Sequence, residues 1–279
     1  VLIVHIGALI LLIGSGITSV FSKEGNMIII ENEQSNYMHS FYYKEFTILN
    51  LDEYQDSIEV INFNEKLFSN EQILSYSNLP FQIKIEKYFI NSKISPREND
   101  DLLPLRGDAI KFELKEKFPE KEMNENISGI MYQIISEDES VNGYYIYQLE
   151  QKMPEVITIN NMSYALLLRP ARTYLPFEIK LEDFQKTMHP GTNIAKSFSS
   201  EIFLIEKETS RRILIEMNAP LRYKGYTLYQ ASFAELQDGR EATVLAVVQN
   251  YGRLFPYISS IIMCIGVLLQ MIIRIPGLM

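Results

Sequence analysis

Two stretches of this 279-residue chain, residues 1–21 (VLIVHIGALILLIGSGITSVF) and 255–273, contain no Asp, Glu, Lys or Arg. As helices rising about 1.5 Å per residue they would span about 31 and 28 Å, the thickness of a bilayer's hydrocarbon core. Each reads as a transmembrane helix. For the first, a cleaved signal peptide is the alternative, but the apolar run exceeds the usual core of such peptides and no basic segment precedes it. Because the chain opens on Val1 inside an apolar run, further membrane helices are expected upstream.

Between the two runs, residues 22–254 hold all 35 acidic residues and 25 of the 26 basic ones. The reading is a large acidic domain bracketed by helices, with both chain ends on one side of the bilayer. Lys23 and Arg253 lie on the domain side and Arg274 on the other, so charge at the helix ends leaves the orientation open. An acidic balance offers no counterion release from phosphates, which excludes nucleic acid as a partner class. The single Cys264 cannot close an intramolecular disulfide or supply a thiolate zinc site.

Inside the domain the dominant period is two. FQIKIE puts Phe81, Ile83 and Ile85 on one face, IKFELK does so with Ile110, Phe112 and Leu114, and FEIKL with Phe177, Ile179 and Leu181. VLAVV (244–248) is apolar on both faces and suits a central strand, whereas 91–107 and 117–129 carry loop chemistry. The expected fold class is a mainly β membrane protein: two transmembrane helices, 1–21 and 255–273, flanking a sandwich- or barrel-like domain over 22–254. There is an internal echo. LPFQIKIEKY from Leu79 matches LPFEIKLEDF from Leu175, and NGYYIYQ from Asn142 matches KGYTLYQ from Lys224, in the same order. Two related β units, 40–150 and 151–254, would produce this pattern.

None of the common catalytic templates is present: no GxSxG elbow, no phosphate-binding loop, no HExxH and no dinucleotide fingerprint. No catalytic residue is assigned, and the chain reads as a subunit without activity of its own. His39 and His189 read as solvated loop histidines. His5 is different, because a coordinating group at membrane depth is costly and faces protein or a cavity. Leu9, Leu12 and Gly16 continue its helix face, while Gly7, Leu11, Gly14 and Thr18 form an adjacent stripe suited to close helix packing. Position alone leaves two roles for His5: an imidazole hydrogen-bonded to a neighbouring helix, or a ligand to a flat group beside it. Gln270 reads as an interhelical hydrogen-bonding residue and Cys264 as a small packing residue.

The segment FSSEIFLIEKETSRRILIEMNAPLRYKGYTLYQASF (198–233) carries a family resemblance, with YLPFEIKLEDF and PGTNIAKSFSS before it and VLAVVQNYGRLFPYISSIIMCIGVLLQ after it. It resembles the ResB (CcsB) family of the system II cytochrome c biogenesis pathway, strongly over 170–275 and hardly at all over 30–145. The motif residues are Asn218, Pro220, Leu221, Tyr223, Gly225, Tyr226, Tyr229 and Gln230, for which a structural role is expected. The resemblance implies a multi-pass protein of the bacterial cytoplasmic membrane with its main domain extracytoplasmic. It further implies work with a Trp-rich ResC/CcsA-type membrane partner, separate or fused, that brings haem across the bilayer and joins it to apocytochrome c. This chain has no Trp, so that haem-handling segment is expected elsewhere. The family's histidine in the helix leading into the external domain matches His5, which makes it a candidate axial ligand to haem iron. Gln270 stands where the family's last helix often has histidine, which argues against a second ligand from that helix. A membrane-anchored sensory or transporter-accessory module explains the topology equally well but not the 216–233 motif.

Overall fold

The computed structural model describes residues 2–51, 59–98, 103–149, 151–191, 195–236 and 238–274. Helix α1 (Leu2–Phe21) is followed by β1 (Lys23–Ile30), β2 (Gln34–Asn50), β3 (Val60–Asn64), β4 (Ile73–Leu74), β5 (Phe81–Phe89) and β6 (Ser92–Pro96). Next come β7 (Phe112–Glu116), β8 (Gly129–Ser136), β9 (Gly143–Gln148), β10 (Glu155–Ile159) and the long β11 (Met162–Met188). Then β12 (Ala195–Glu206), β13 (Thr209–Glu216), β14 (Leu221–Tyr223), β15 (Tyr226–Glu235) and β16 (Glu241–Gln249) lead into α2 (Phe255–Arg274). The protein is mainly β, with an apolar helix at each end of a large β domain, as the sequence predicts.

Two compact units divide the chain, one formed by residues 39–172 and the other by residues 1–38 with 173–279. In the unit of residues 39–172, β4-β5-β8-β9 form an antiparallel sheet. Its core gathers Phe46, Phe81, Ile83, Ile85, Tyr132 and Tyr145 with Ile157, Ile159 and Leu166. Since β10 and the first half of β11 supply those last three side chains, the compact unit runs past residue 150, where the echo in the sequence places a division. Here Arg169 donates from Nε to the Glu45 carboxylate at 2.8 Å and from Nη2 to Asn62 Oδ1 at 3.2 Å. Asn62 also accepts from the Thr47 hydroxyl at 2.9 Å, so a buried ion pair sits within a hydrogen-bonded network.

The second unit is built around the pairing of β1 with β16, in register from Lys23↔Gln249 to Ile30↔Ala242, and β15 lies on the other side of β16. β16 is thus a central strand, the position VLAVV predicts. Leu175, Phe177, Ile179 and Leu181 of β11 pack with Met27, Ile202, Leu228, Leu245 and Val247. Burial of each such side chain stabilises by about 1.5–3 kcal/mol.

The echo has a structural counterpart. β5 bulges between Ile85 and Lys87 against β8, and β11 bulges between Leu181 and Asp183 against β12, so Glu86 and Glu182 are the extra residues at matching positions of the two LPF segments. Two expectations need correction. IKFELK does not form a buried face: Ile110 is 58% exposed at the end of a short 3-10 turn and β7 only half-buries Phe112 and Leu114. The stretch 91–107 contains a strand, β6, because β7 pairs with it to form a hairpin ladder from Ser92↔Glu116 to Pro96↔Phe112.

Candidate functional site

Helices α1 and α2 pack antiparallel through glycines. A methyl group added at Gly7 would overlap the Met263 side chain and stand 3.0 Å from the Ser259 carbonyl oxygen; one at Gly14 would overlap Phe255, and one at Gly266 would crowd Val4. Gly7 and Gly14 are the buried residues of α1, as their stripe predicts, and Ser259 and Gly266 are those of α2. At the domain end, the Thr18 hydroxyl donates to Asn250 Oδ1 at 3.0 Å and the Gly252 N–H donates to the same oxygen at 2.7 Å. Gly252 lies so close to α1 that a methyl group there would overlap the Thr18 hydroxyl. Sequence reasoning missed Asn250 and Gly252, although a glycine in NYGR just before an apolar run was a usable signal.

His5 lies on the other side of α1. It is exposed, together with Leu9, Leu12 and Gly16, so α2 leaves its face uncovered. His5 precedes Phe21 by about four and a half turns, which puts it roughly 24 Å from the domain end of the helix. Gln270 is half-buried and Cys264 exposed, so the cysteine does not pack as expected.

The motif residues lie on β14, β15 and their turn. Lys224 (φ +47°) and Gly225 (φ +82°) form a two-residue hairpin turn with both residues left-handed, closing the pair Tyr223↔Tyr226. Tyr223 donates its hydroxyl to Glu206, which also pairs with Lys224. Lys224 and then Tyr223 hold the Glu206 carboxyl below the usual carboxylate range, and Glu206 in turn raises the Tyr223 hydroxyl. The Tyr223 ring meets Phe177 edge-on at 5.2 Å. Leu221 packs against the core and Tyr226 and Leu228 enter it. Gln230 is buried in a polar network: the Ser200 hydroxyl donates to Gln230 Oε1 at 2.6 Å, and Gln230 Nε2 donates to Thr243 Oγ1 at 3.0 Å. Pro220 is half-buried in the turn before β14, while Asn218 and Tyr229 are exposed, so the inward structural role does not extend to those two. Leu175–Glu178, Ile205–Lys207 and Lys224 line an open cleft of about 600 Å³ where the two recognisable segments meet.

His189 is an exposed loop residue, as expected. His39 is not: it sits half-buried within β2. Burial, then Arg172 and Arg169, lower its pKa, against a backbone hydrogen bond with Pro170. Among the described residues no cluster of His, Cys, Asp or Glu is placed to hold a metal ion.

Residues 134–240 match the model of the ResB-like family. Over that stretch the chain is similar to the ResB-like family. This match begins earlier than the motifs from 170 onward indicate, taking in β9 and its GYYIYQ segment. The protein NrfI of Wolinella succinogenes is 22% identical over 271 residues, which covers 95% of this chain and 26% of NrfI. The chain thus spans about a quarter of the length of that relative.

Proposed function

We propose that this ResB-like chain serves cytochrome c biogenesis as a membrane subunit that helps carry haem across the bilayer and supports its attachment to apocytochrome c. Its partner is a Trp-rich ResC/CcsA-type membrane chain, and its β domain faces the extracytoplasmic side. Haem iron accepts an axial imidazole, and His5 is the residue of this chain that would hold it. The observation that carries the reading is the outward placement of His5, on an apolar face of α1 that α2 leaves uncovered. Among the described residues the helix pair offers no second histidine, so any further ligand and the remaining walls would come from the partner. The two glycine contacts fix α1 against α2 and thereby fix the direction in which His5 projects.

The test is the absorption spectrum of the complex co-purified with a Trp-rich partner. His5→Ala should lower haem occupancy while leaving the circular dichroism of the β domain unchanged, and added imidazole should restore part of the lost activity. Full haem with an unchanged spectrum would remove the ligand assignment. Orientation is tested in a Cys264→Ala background: Ser140→Cys, in the exposed turn between β8 and β9, should react with an impermeant thiol reagent on intact cells, and reaction only after lysis would reverse the topology.

A further inference from the structure

Where α1 ends and α2 begins lies a cleft of about 500 Å³, lined by Ser15, Thr18 and Ser19 from one side and Asn250, Arg253 and Tyr257 from the other. The Thr18 hydroxyl is bonded to Asn250 Oδ1; the lining also carries the Ser15, Ser19 and Tyr257 hydroxyls, the Asn250 amide and the Arg253 guanidinium, all potential donors. None of the lining residues is acidic. The level in the membrane follows from the neighbours: Phe21, Tyr251 and Tyr257 are exposed aromatics gathered at this end of both helices, the position where such rings mark the boundary between lipid and water. A cation at this level with hydroxyls beside it, and a wall of apolar side chains running away along both helices, suits a ligand with an anionic head and hydrocarbon tails. Guanidinium meets phosphate through parallel charge-assisted hydrogen bonds.

We propose that this cleft holds the phosphate group of a glycerophospholipid, with the acyl chains lying along the exposed apolar faces of α1 and α2. The inference rests on the reading that the two helices cross a bilayer. Its consequence is a fixed lipid at the seam that Gly252 and Asn250 close, so that the hairpin carries its own boundary lipid into whatever complex it joins.

The test uses the purified membrane protein in detergent, titrated with phosphatidylglycerol, diacylglycerol or inorganic phosphate and read by native mass spectrometry. Phosphatidylglycerol should bind with one-to-one saturation, and Arg253→Ala should weaken it about tenfold or more, the effect of losing a hydrogen bond to a charged group. Ser19→Ala should weaken it less, and Arg253→Lys should retain part of the affinity. Equal binding of diacylglycerol, or of inorganic phosphate alone, would overturn the phospholipid assignment, as would unchanged affinity in both Arg253→Ala and Ser19→Ala. Alkaline carbonate extraction of the unaltered protein separates the two readings: release from membranes ends the bilayer reading, whereas retention with unchanged lipid affinity in the variants ends only the headgroup site.

Discussion

The two β units answer the same sequence pattern with different polar chemistry. Each has an LPF strand bulged at its glutamate, and each has a Gly-Tyr segment whose glutamine is buried and bonded to a serine: Gln148 donates to Ser92, and Gln230 accepts from Ser200. Yet the unit of residues 39–172 buries a charge pair, Arg169 with Glu45, while the other closes its core with the neutral Ser200, Gln230 and Thr243. Their glycines differ as well. At Gly143 (φ +152°) a methyl group would also run into the Pro104 carbonyl oxygen, so backbone angle and space both exclude a side chain; at Gly225 nothing lies within 4 Å and the left-handed φ alone disfavours one. A repeated strand pattern therefore specifies where a glycine or glutamine must stand without specifying why.

The contrast is open to measurement. The largest effect is expected for Arg169→Leu, which strands the Glu45 carboxylate in a dry site and should cost about 3–5 kcal/mol in urea unfolding; the double change with Glu45→Leu should recover most of it. If the single change costs under about 1 kcal/mol, the charge pair does not distinguish the units. In the neutral network, Gln230→Leu leaves the Thr243 and Ser200 hydroxyls short of a partner and should cost about 1–3 kcal/mol. Gly225→Val should cost about 1–2 kcal/mol through backbone strain, lowering the yield of folded protein more than cytochrome c assembly per folded molecule; normal yield with assembly abolished would make the turn a contact surface. The smallest effect concerns pH. Because the folded pKa of His39 is lowered, the unfolded chain binds more protons below the ordinary value of 6.5, so stability should fall as pH drops through 6.5 toward the lowered value. His39→Gln should flatten that slope, and an unaltered slope would assign it to other groups.

Much of this was legible in the sequence because it depends on short-range pattern. Alternation placed Phe81, Ile83 and Ile85 on a core face, VLAVV in a central strand, and Gly7 and Gly14 against a second helix. What escaped depends on pairing between distant segments. Nothing local to 91–107 reveals that β7 will pair with Ser92–Pro96, and His39 looks like a loop residue until β2 carries it in beside Arg172. The division of the chain inside β2 and β11 is invisible for the same reason, since a strand keeps its alternation while it passes from one core to another. At the candidate site, His5 stood out by its chemistry in an apolar run, whereas Asn250 meets α1 through Thr18, 232 residues away.

The helix hairpin and the central ladder share their strands. α1 gives way to β1 after Ser22, β16 passes into α2 through residues 250–254, and β1 and β16 are zipped together over eight residue pairs. Sliding one helix along the other would pull that ladder with it. A slip of one residue would turn Met27 and Ile29 out of the core, so the hairpin cannot act as a pair of independent pistons. It is a stalk, and a twist or tilt imposed on it inside the membrane arrives directly at the strands beneath Leu245 and Val247.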